Sequence, residues 1–270
     1  MHRFFVTSEI LAGVASSATP ASISSISLSR ELAHQVRDVL HLGIGEQLLL
    51  LDNSGDEVLA TVAKSSRAGV EVQFLERRAG KSESPMRLIL CQGLLKSARF
   101  EWILEKGTEL GVAVFAPILC RRSMAGLEDA GPSKIQRWQR IIQEAAEQCG
   151  RSRLPELLPI RPLMHALNDI PPGALALMPW EEEHGSSLRD VLVSAKGATE
   201  DRRPQGSRFS EAPLQITVVL FIGSEGGLMA DEVMLAQHRG VQVVSLGPRI
   251  LRAETAALTA VANVMYELET

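Results

Sequence analysis

The chain contains 270 residues, 45% of them hydrophobic, which is enough for the cores of one large or two modest domains. It has no apolar run of about 18 residues, the length that a membrane-spanning helix requires, and residues 1–6 lack the apolar stretch of a signal peptide. We therefore expect a cytoplasmic protein with no membrane partner. The three cysteines are far apart, and an odd number of them predicts buried, reduced thiols rather than a disulfide framework or a metal site. They are Cys91, Cys120 and Cys149.

The net charge of −4 argues against a nucleic-acid-binding protein, because contacts to phosphate require Lys and Arg. The charge is, however, distributed unevenly along the chain. Residues 79–161 hold 13 basic and 9 acidic side chains, whereas the segments before and after them are net acidic. A basic middle third is typical either of a nucleic-acid-binding surface or of a solvated helix surface, and composition leaves both interpretations open.

The first segment predicts a small β barrel, because short apolar or alternating runs are separated by residues that favour turns. The runs are Glu46–Leu51, Glu57–Ala63 and Gly69–Leu75. The first two are joined by Asn53-Ser54-Gly55, which predicts a hairpin. An amphipathic helix is predicted over Ser29–Leu40 and should pack across the barrel. Its apolar face consists of Leu32, Val36, Val39 and Leu40.

From Pro85 onward, predicted strands alternate with predicted helices, which favours a parallel sheet. The strands are Met86–Cys91, Val112–Leu119, Ala174–Met178, Ile216–Ile222 and Val241–Leu246. The last two are apolar throughout and are predicted to be central strands. The helices are Ser97–Leu110, Ser133–Cys149 and Glu254–Leu268, and Ser133 is a candidate N-cap. Residues 197–213 are rich in Gly, Pro, Ser and Arg and predict a mobile surface loop.

Two glycine-containing turns follow the last two predicted strands. The first spans Gly223–Leu228, and the second begins at Leu246-Gly247 and continues to Ala256. Ligands of parallel sheets bind at the carboxyl ends of the strands, where glycine lets main-chain groups approach a ligand closely. The first turn lacks the Lys-Ser/Thr of a P-loop and the spacing of a dinucleotide fingerprint. A ligand pocket and a pair of ordinary strand-to-helix turns are both consistent with this pattern.

At these residues the chain resembles the SPOUT-class RNA methyltransferases, and within them the ribosomal RNA small subunit methyltransferase E family, which methylates N3 of a uridine in 16S rRNA. Members carry a Gly-Pro-Glu-Gly-Gly turn and a Leu-Gly-x-Arg-Ile-Leu-Arg-x-Glu-Thr-Ala segment. This sequence departs from the pattern at Ser224, where proline is usual. The resemblance spans essentially the whole chain and includes the segments Gln92–Lys96, Glu105–Gly111, Glu144–Arg153 and Pro179–Glu182.

The resemblance implies an α/β fold with two domains. Residues 1–78 would form a PUA-like RNA-binding β barrel, and residues 79–270 a SPOUT methyltransferase domain with a deep C-terminal trefoil knot. Periodicity cannot reveal a knot, which is a rare exception to the rules of chain connection. The implied cofactor is S-adenosylmethionine, and the implied partners are 16S rRNA within the assembled small ribosomal subunit and a second copy of the chain in a homodimer.

The resemblance also implies roles for individual residues. The predicted cofactor-binding residues are Met178, Trp180, Ile222, Gly223, Glu225, Gly226, Gly227, Leu246, Gly247, Ile250, Leu251, Glu254, Thr255 and Ala256. The predicted RNA-binding residues are Arg3, Arg37, Lys96, Arg121, Arg122, Arg151 and Arg153. Arg252 is the predicted catalytic residue, because a guanidinium beside the methyl group would stabilise the charge that develops on the uracil ring. The alternative is that Arg252 only pairs with Glu254 or Glu225.

Two other functions remain open. One is ribose 2′-O methylation of rRNA or tRNA by the same class of enzyme, and the other is a noncatalytic RNA-binding factor in ribosome assembly. For any methyl transfer from a sulfonium, the methyl group is already activated, so no metal or redox cofactor is expected.

Overall fold

The computed structural model describes residues 1–11, 25–123, 126, 131–200 and 216–269. The chain divides into two compact units. Unit 1 consists of Met1–Glu83 and Ala146–Leu154, and unit 2 consists of Ser84–Ala145 and Pro155–Thr270. No helix within the described ranges is long and apolar enough to cross a membrane.

Unit 1 is built on a five-stranded sheet with the order β1-β3-β4-β5-β2. The strands are β1 (His2–Phe5), β2 (Ser25–Ser27), β3 (Gln47–Leu51), β4 (Asp56–Ser66) and β5 (Gly69–Ala79). The pair β1–β3 is parallel, and the other neighbours are antiparallel. The predicted hairpin between β3 and β4 is confirmed, and its turn has positive φ at Asn53 (66°) and Gly55 (98°).

The helical part of unit 1 departs from the prediction. Helix α1 spans Ser8–Leu11, and helix α2 (Arg30–His34) continues directly as a π-helical turn over Gln35–Val39. An α-helical period would place Val39 on the apolar face with Val36. The wider π turn instead closes with a hydrogen bond from Leu40 N to Gln35 O, and it leaves Val39 59% exposed while Val36 stays buried. The prediction that Val39 packs on the sheet is therefore wrong.

Unit 2 contains a seven-stranded sheet in which all the described strand pairings are parallel, as the sequence predicts. The order is β12-β10-β11-β6-β7-β8, and β9 also pairs with β7. The strands are β6 (Arg87–Gly93), β7 (Val114–Leu119), β8 (Glu156–Leu157), β9 (Arg161–Pro162), β10 (Leu175–Pro179), β11 (Thr217–Ile222) and β12 (Gln242–Val244). Strand β11 is central, as predicted, but β12 lies at an edge. The apolar residues of β12 are buried on both faces of the strand, and this does not require a hydrogen-bonded strand on each side.

The helices of the rest of the chain are α3 (Ser97–Glu109), α4 (Pro132–Cys149), α5 (Leu163–Asn168), α6 (Leu188–Glu200), α7 (Ala230–His238) and α8 (Ala253–Leu268). Helix α4 begins at Pro132, so Ser133 lies inside its first turn and is not the N-cap. Proline is well suited to that first helical position, because its missing N–H has no partner there in any helix. Helix α6 continues to Glu200, so the first part of the predicted loop 197–213 is helical, and residues 201–213 lie outside the described residues.

Apolar side chains cover both faces of the unit 2 sheet. Strand β6 alternates between them: Leu88 and Leu90 join one cluster and Cys91 joins the other. The first cluster includes side chains of α3, α4, α6 and α8, and the second includes side chains of α5 and α7. Cys91 and Cys120 are buried free thiols, as predicted, and burial raises the pKa of each to about 12. Cys149 is only half-buried.

Candidate functional site

The glycine turn after β11 packs directly against the end of β6. The turn closes with a hydrogen bond from Gly227 N to Ser224 O (2.9 Å), and Gly227 has φ +72°. A Cβ on Gly93 would lie 2.5 Å from Ser224 N, and a Cβ on Gly226 would lie 2.7 Å from Arg122 Cβ. Gly93 therefore lets β6 approach the main chain of the turn, and Gly226 lets Arg122 pack on the turn, more closely than a residue with a Cβ would permit.

Buried side-chain atoms that lack a hydrogen-bond partner gather around this turn. Four of the seven such atoms found in the described part of the chain are Gln92 Oε1, Trp180 Nε1, Ser224 Oγ and Glu254 Oε2. Three of their residues stand at the carboxyl ends of β6, β10 and β11, and the fourth is in the first turn of α8. An unpaired buried polar group costs about 1–3 kcal/mol, so four at one end of a sheet indicate the binding of a polar ligand. The other three are Trp138 Nε1, Ser152 Oγ and Arg161 Nε.

Gln92 was not predicted as a site residue, although its position is informative. It is 1% exposed, and its Nε2 donates to Gly93 O (2.9 Å) and to Gly223 O (3.2 Å). Both amide hydrogens are thus used to hold the ends of β6 and β11 together, while the carbonyl oxygen remains available. A glutamine at the end of an otherwise apolar strand was the signal that could have identified it.

The second predicted segment follows β12 and is far more exposed. Trp180 N donates to Val244 O (3.0 Å), which ties the end of β10 to the end of β12. Gly247 has φ +111°, and Ile250 is 85% exposed. Leu246 and Gly247 line a cavity of about 530 Å³ together with residues of α6 and α8. These are the only two of the fourteen predicted cofactor residues among the residues lining that cavity.

Arg99 joins the two glycine-containing segments. Its Nη1 lies 3.1 Å from Glu225 Oε1 in the first turn, and its Nε lies 3.6 Å from Glu254 Oε1 at the start of α8. Sequence reasoning missed Arg99, because its partners follow more than 120 residues later in the chain. Arg99 therefore pairs with both carboxylates proposed as alternative partners of Arg252, through Oε1 of each. The exposed side chain of Arg252 makes no hydrogen bond or ion pair with any residue that the structure describes.

The other predicted cofactor residues differ in what they can offer a ligand. Met178 and Ile222 are buried among core side chains, so only their main-chain atoms could reach a ligand. Thr255 is exposed, and Leu251 and Ala256 are half-buried beside the start of α8.

The predicted RNA-binding residues of unit 2 lie near the glycine turn or at a helix start. Arg122 Nη1 donates to Gly226 O (3.0 Å), so this arginine contacts the turn itself. Arg121 is 68% exposed and pairs with Asp231, and exposed Lys96 precedes the first residue of α3.

Three of the four predicted RNA-binding arginines of unit 1 keep some exposure. Arg3 pairs with Glu57, Arg37 pairs with its neighbour Asp38, and Arg153 Nη2 donates to Ser54 O (2.6 Å). Arg151 is 7% exposed and pairs with Glu83 at 2.9 Å. Its guanidinium is thus held in a buried ion pair, which argues against the predicted contact of Arg151 with RNA.

Comparison with known proteins assigns the chain to a family. The model of the RNA methyltransferase domain family matches residues 82–265. The chain is 31% identical over 247 residues to the ribosomal RNA small subunit methyltransferase E of Bacillus subtilis, and the match covers 91% of each chain. The chain belongs to the ribosomal RNA small subunit methyltransferase E family.

Solved structures agree with this assignment. A ribosomal RNA small subunit methyltransferase E from Neisseria gonorrhoeae, bound to S-adenosylmethionine, superposes with a TM-score of 0.78 at 26% identity and covers 98% of this chain and 97% of its own. A putative methyltransferase from Legionella pneumophila, also with bound S-adenosylmethionine, gives a TM-score of 0.77 at 28% identity and the same coverage. The α/β architecture with a parallel sheet is thus that of the methyltransferase fold in this family.

Proposed function

We propose that this family member transfers the methyl group of S-adenosylmethionine to N3 of a uridine in 16S rRNA. The observation that carries the proposal is the group of four unpartnered buried polar atoms beside the glycine turns, at the carboxyl ends of adjacent parallel strands. Two structural neighbours of the same family or fold hold S-adenosylmethionine, which supports the same cofactor here.

The residues around the turn fit this cofactor chemically. S-adenosylmethionine presents hydrogen-bond donors and positive charge, for which Glu254 Oε2 and Gln92 Oε1 are suitable acceptors. It also presents acceptors, for which Trp180 Nε1 is a donor and Ser224 Oγ can serve in either role. Once bound, the cofactor supplies an activated methyl group, so the chain must orient the base, exclude water and handle the N3 proton.

Arg252 is the proposed catalytic residue. Loss of the N3 proton spreads negative charge over O2 and O4 of the uracil, and a guanidinium aimed at those atoms stabilises the transition state more than the ground state. The freedom of its side chain from other described residues supports this role, because a guanidinium already held in an ion pair would be less available to the substrate. N3 lies on the pairing edge of uridine, so the target must be unpaired or flipped out of a helix before the reaction.

The experiment is to incubate the purified chain with isotopically labelled S-adenosylmethionine and with small ribosomal subunits that lack the modification, and then to analyse the nucleosides by mass spectrometry. We expect 3-methyluridine. A labelled 2′-O-methyl nucleoside would contradict the choice of N3, and failure to bind the cofactor or transfer its methyl group would favour a noncatalytic assembly factor. Parallel reactions with free 16S rRNA test whether the assembled subunit is the substrate.

Substitution of Arg252 tests its role separately. Arg252→Ala should bind S-adenosylmethionine nearly normally in calorimetry and lose on the order of 10²-fold or more in methyl transfer, the loss typical of removing one preorganised charge donor. Arg249→Ala is the matched control, because Arg249 is an exposed arginine of the same segment. A parallel loss of cofactor affinity, melting temperature and activity in Arg252→Ala would make Arg252 a structural residue.

The finer architecture is also part of the proposal. Residues 1–78 would act as a PUA-like RNA-binding barrel, and residues 79–270 as a SPOUT domain whose C-terminal segment is threaded as a deep trefoil knot. We place the protein in the cytoplasm, where its proposed substrate is found.

A homodimer is proposed from the family resemblance alone. The small residues Ala257, Ala260 and Val261 of α8 give it no support, because they are buried in the core of unit 2 and are not available to a second copy. Sedimentation at micromolar concentration as a 29.3 kDa monomer would contradict the dimer.

A further inference from the structure

Unit 1 contains a cavity of about 460 Å³ whose polar lining is mostly cationic. It is lined by Arg3, Glu57, Arg78, Ala79, Lys81 and Ser82. We propose that this cavity binds a phosphodiester group of the RNA substrate, with Arg78 and Lys81 as phosphate contacts beyond those that the sequence predicts. The assignment of this phosphate to RNA rests on the proposed function. The positive charge of the cavity is independent of that function.

Glu57 organises the two guanidinium groups at this site. It is 5% exposed and stands opposite Arg78 in the β4–β5 pairing. Glu57 Oε1 accepts from Arg3 Nη1 (2.5 Å), and Glu57 Oε2 accepts from Arg78 Nε (3.1 Å) and Nη2 (2.9 Å). One buried carboxylate therefore holds two arginines at neighbouring positions. The Nη1 group of Arg78 and the Nη2 group of Arg3 make no hydrogen bond with the described residues and can donate to an anion.

The arrangement leaves an excess of positive charge. Three cations and one carboxylate line the cavity, so its net charge at neutral pH is +2. Lys81 and Ser82 are exposed and make no hydrogen bond or ion pair with the residues that the structure describes. A phosphate matches this set, because guanidinium groups bind phosphate oxygens with directed N–H donors and lysine adds a mobile point charge.

The neighbouring residue on β5 shows that this excess is not a general property of the strand. Arg77 is 16% exposed in its side chain and pairs with both Asp52 (3.3 Å) and Asp56 (2.8 Å). Its cluster holds one cation and two carboxylates and is net negative, as expected for ion pairs that serve only the fold. The cluster around Arg78 has the opposite balance, with two arginines to one carboxylate and a free lysine beside them.

The test measures RNA affinity against salt concentration, using full-length chain and a 16S rRNA transcript. Each phosphate contact to single-stranded RNA contributes about 0.7 to the slope of log K against log salt concentration. We expect Lys81→Gln to reduce the slope by that amount and to weaken binding about fourfold at physiological salt. Arg78→Gln should act similarly, and Arg78→Lys should restore part of the affinity. Lys64→Gln is the control, because Lys64 is a 73% exposed lysine of the same unit that pairs with Glu71 outside the cavity.

Cofactor binding and methyl transfer at saturating RNA are measured on the same variants. We expect cofactor binding and the rate at saturating RNA to equal those of the unaltered chain. Only the KM for RNA should rise. The proposal is overturned if Lys81→Gln and Arg78→Gln keep the salt slope of Lys64→Gln, or if the unaltered chain does not bind RNA. Because binding and methyl transfer are read separately, RNA binding without methyl transfer would refute the proposed function and leave the cavity supported. Lys81 is exposed and makes no hydrogen bond or ion pair with the described residues, so its replacement should leave the fold intact, which a thermal melt checks.

Discussion

Replacing Gly93 with alanine is the most direct test of how β6 supports the glycine turn. A Cβ at this position would lie 2.5 Å from Ser224 N, 2.6 Å from Gly223 C and 2.9 Å from Gly223 O. All three are main-chain atoms, so no change of rotamer can relieve the contact. An ordinary contact begins at about 3.5 Å, and the turn must therefore move away from β6 by about 1 Å.

This displacement has two measurable consequences. Overpacking of this kind costs about 1–3 kcal/mol, and for a unit of this size each kcal/mol lowers the melting temperature by about 2–4 °C. A misplacement of about 1 Å in a reacting geometry can reduce the rate about 10²-fold. We therefore expect Gly93→Ala to melt at a lower temperature, to bind S-adenosylmethionine more weakly and to lose most methyl transfer.

Gly197 provides the matched control for this substitution. It lies in α6, and a Cβ added there would meet no atom within 4 Å beyond the backbone of its own helix, so Gly197→Ala meets open space. Alanine in a helix interior is favoured over glycine by about 0.5–1 kcal/mol, and this variant should melt at the same or a higher temperature. Scanning calorimetry and titration with S-adenosylmethionine measure both variants. Unchanged cofactor affinity and melting temperature in Gly93→Ala would refute the close packing of turn and strand.

Three further predictions concern charged and polar groups. Arg99→Gln should weaken S-adenosylmethionine binding with little loss of stability, since partly exposed ion pairs contribute about 0–1 kcal/mol. A double-mutant cycle with Glu225→Gln should show coupling in the cofactor affinity. Additive effects of the two substitutions would argue against the link between Arg99 and Glu225. Ser224→Ala should leave the melting temperature of the free protein unchanged or higher, because it removes an unpaired buried hydroxyl. It should also weaken cofactor binding about fivefold. Unchanged affinity would show that the hydroxyl is a core group that does not contact the cofactor. Burial raises the pKa of Glu57, but hydrogen bonds from its two arginines outweigh this and lower it overall. Its stabilisation is thus present above the unfolded-state pKa of about 4.3 and lost as the pH falls through the folded value, so urea midpoints should fall less steeply with acidification in Glu57→Gln.

The sequence predicted those features that depend on neighbours along the chain. The strand 217–222, the glycine turn after it and the β3–β4 hairpin follow from local patterns of apolar residues and turn formers. Contacts between distant residues left no such pattern. The pairing of Arg99 with Glu225 spans 126 positions, and that of Arg3 with Glu57 spans 54. For the same reason the sequence could not reveal that Arg151 is buried against Glu83.

The position of Arg252 bears on the choice between a catalytic and a structural role. Arg252 is the N-cap residue of α8, and its guanidinium has no acceptor with which to cap the N–H groups of the first turn. A cation at a helix N-terminus is disfavoured by about 0.3–1 kcal/mol, because the helix dipole places positive charge there. With both nearby carboxylates paired to Arg99, no ion pair in the described residues offsets this cost.

A residue that is unfavourable for its local structure and has no compensating contact is found mainly at functional sites, where the ligand provides the compensation. An anionic uracil beside this position would be stabilised by the guanidinium and by the helix dipole together. Arg252→Ala should accordingly melt no lower than the unaltered chain while losing methyl transfer, and a marked fall in its melting temperature would show that the guanidinium stabilises the fold.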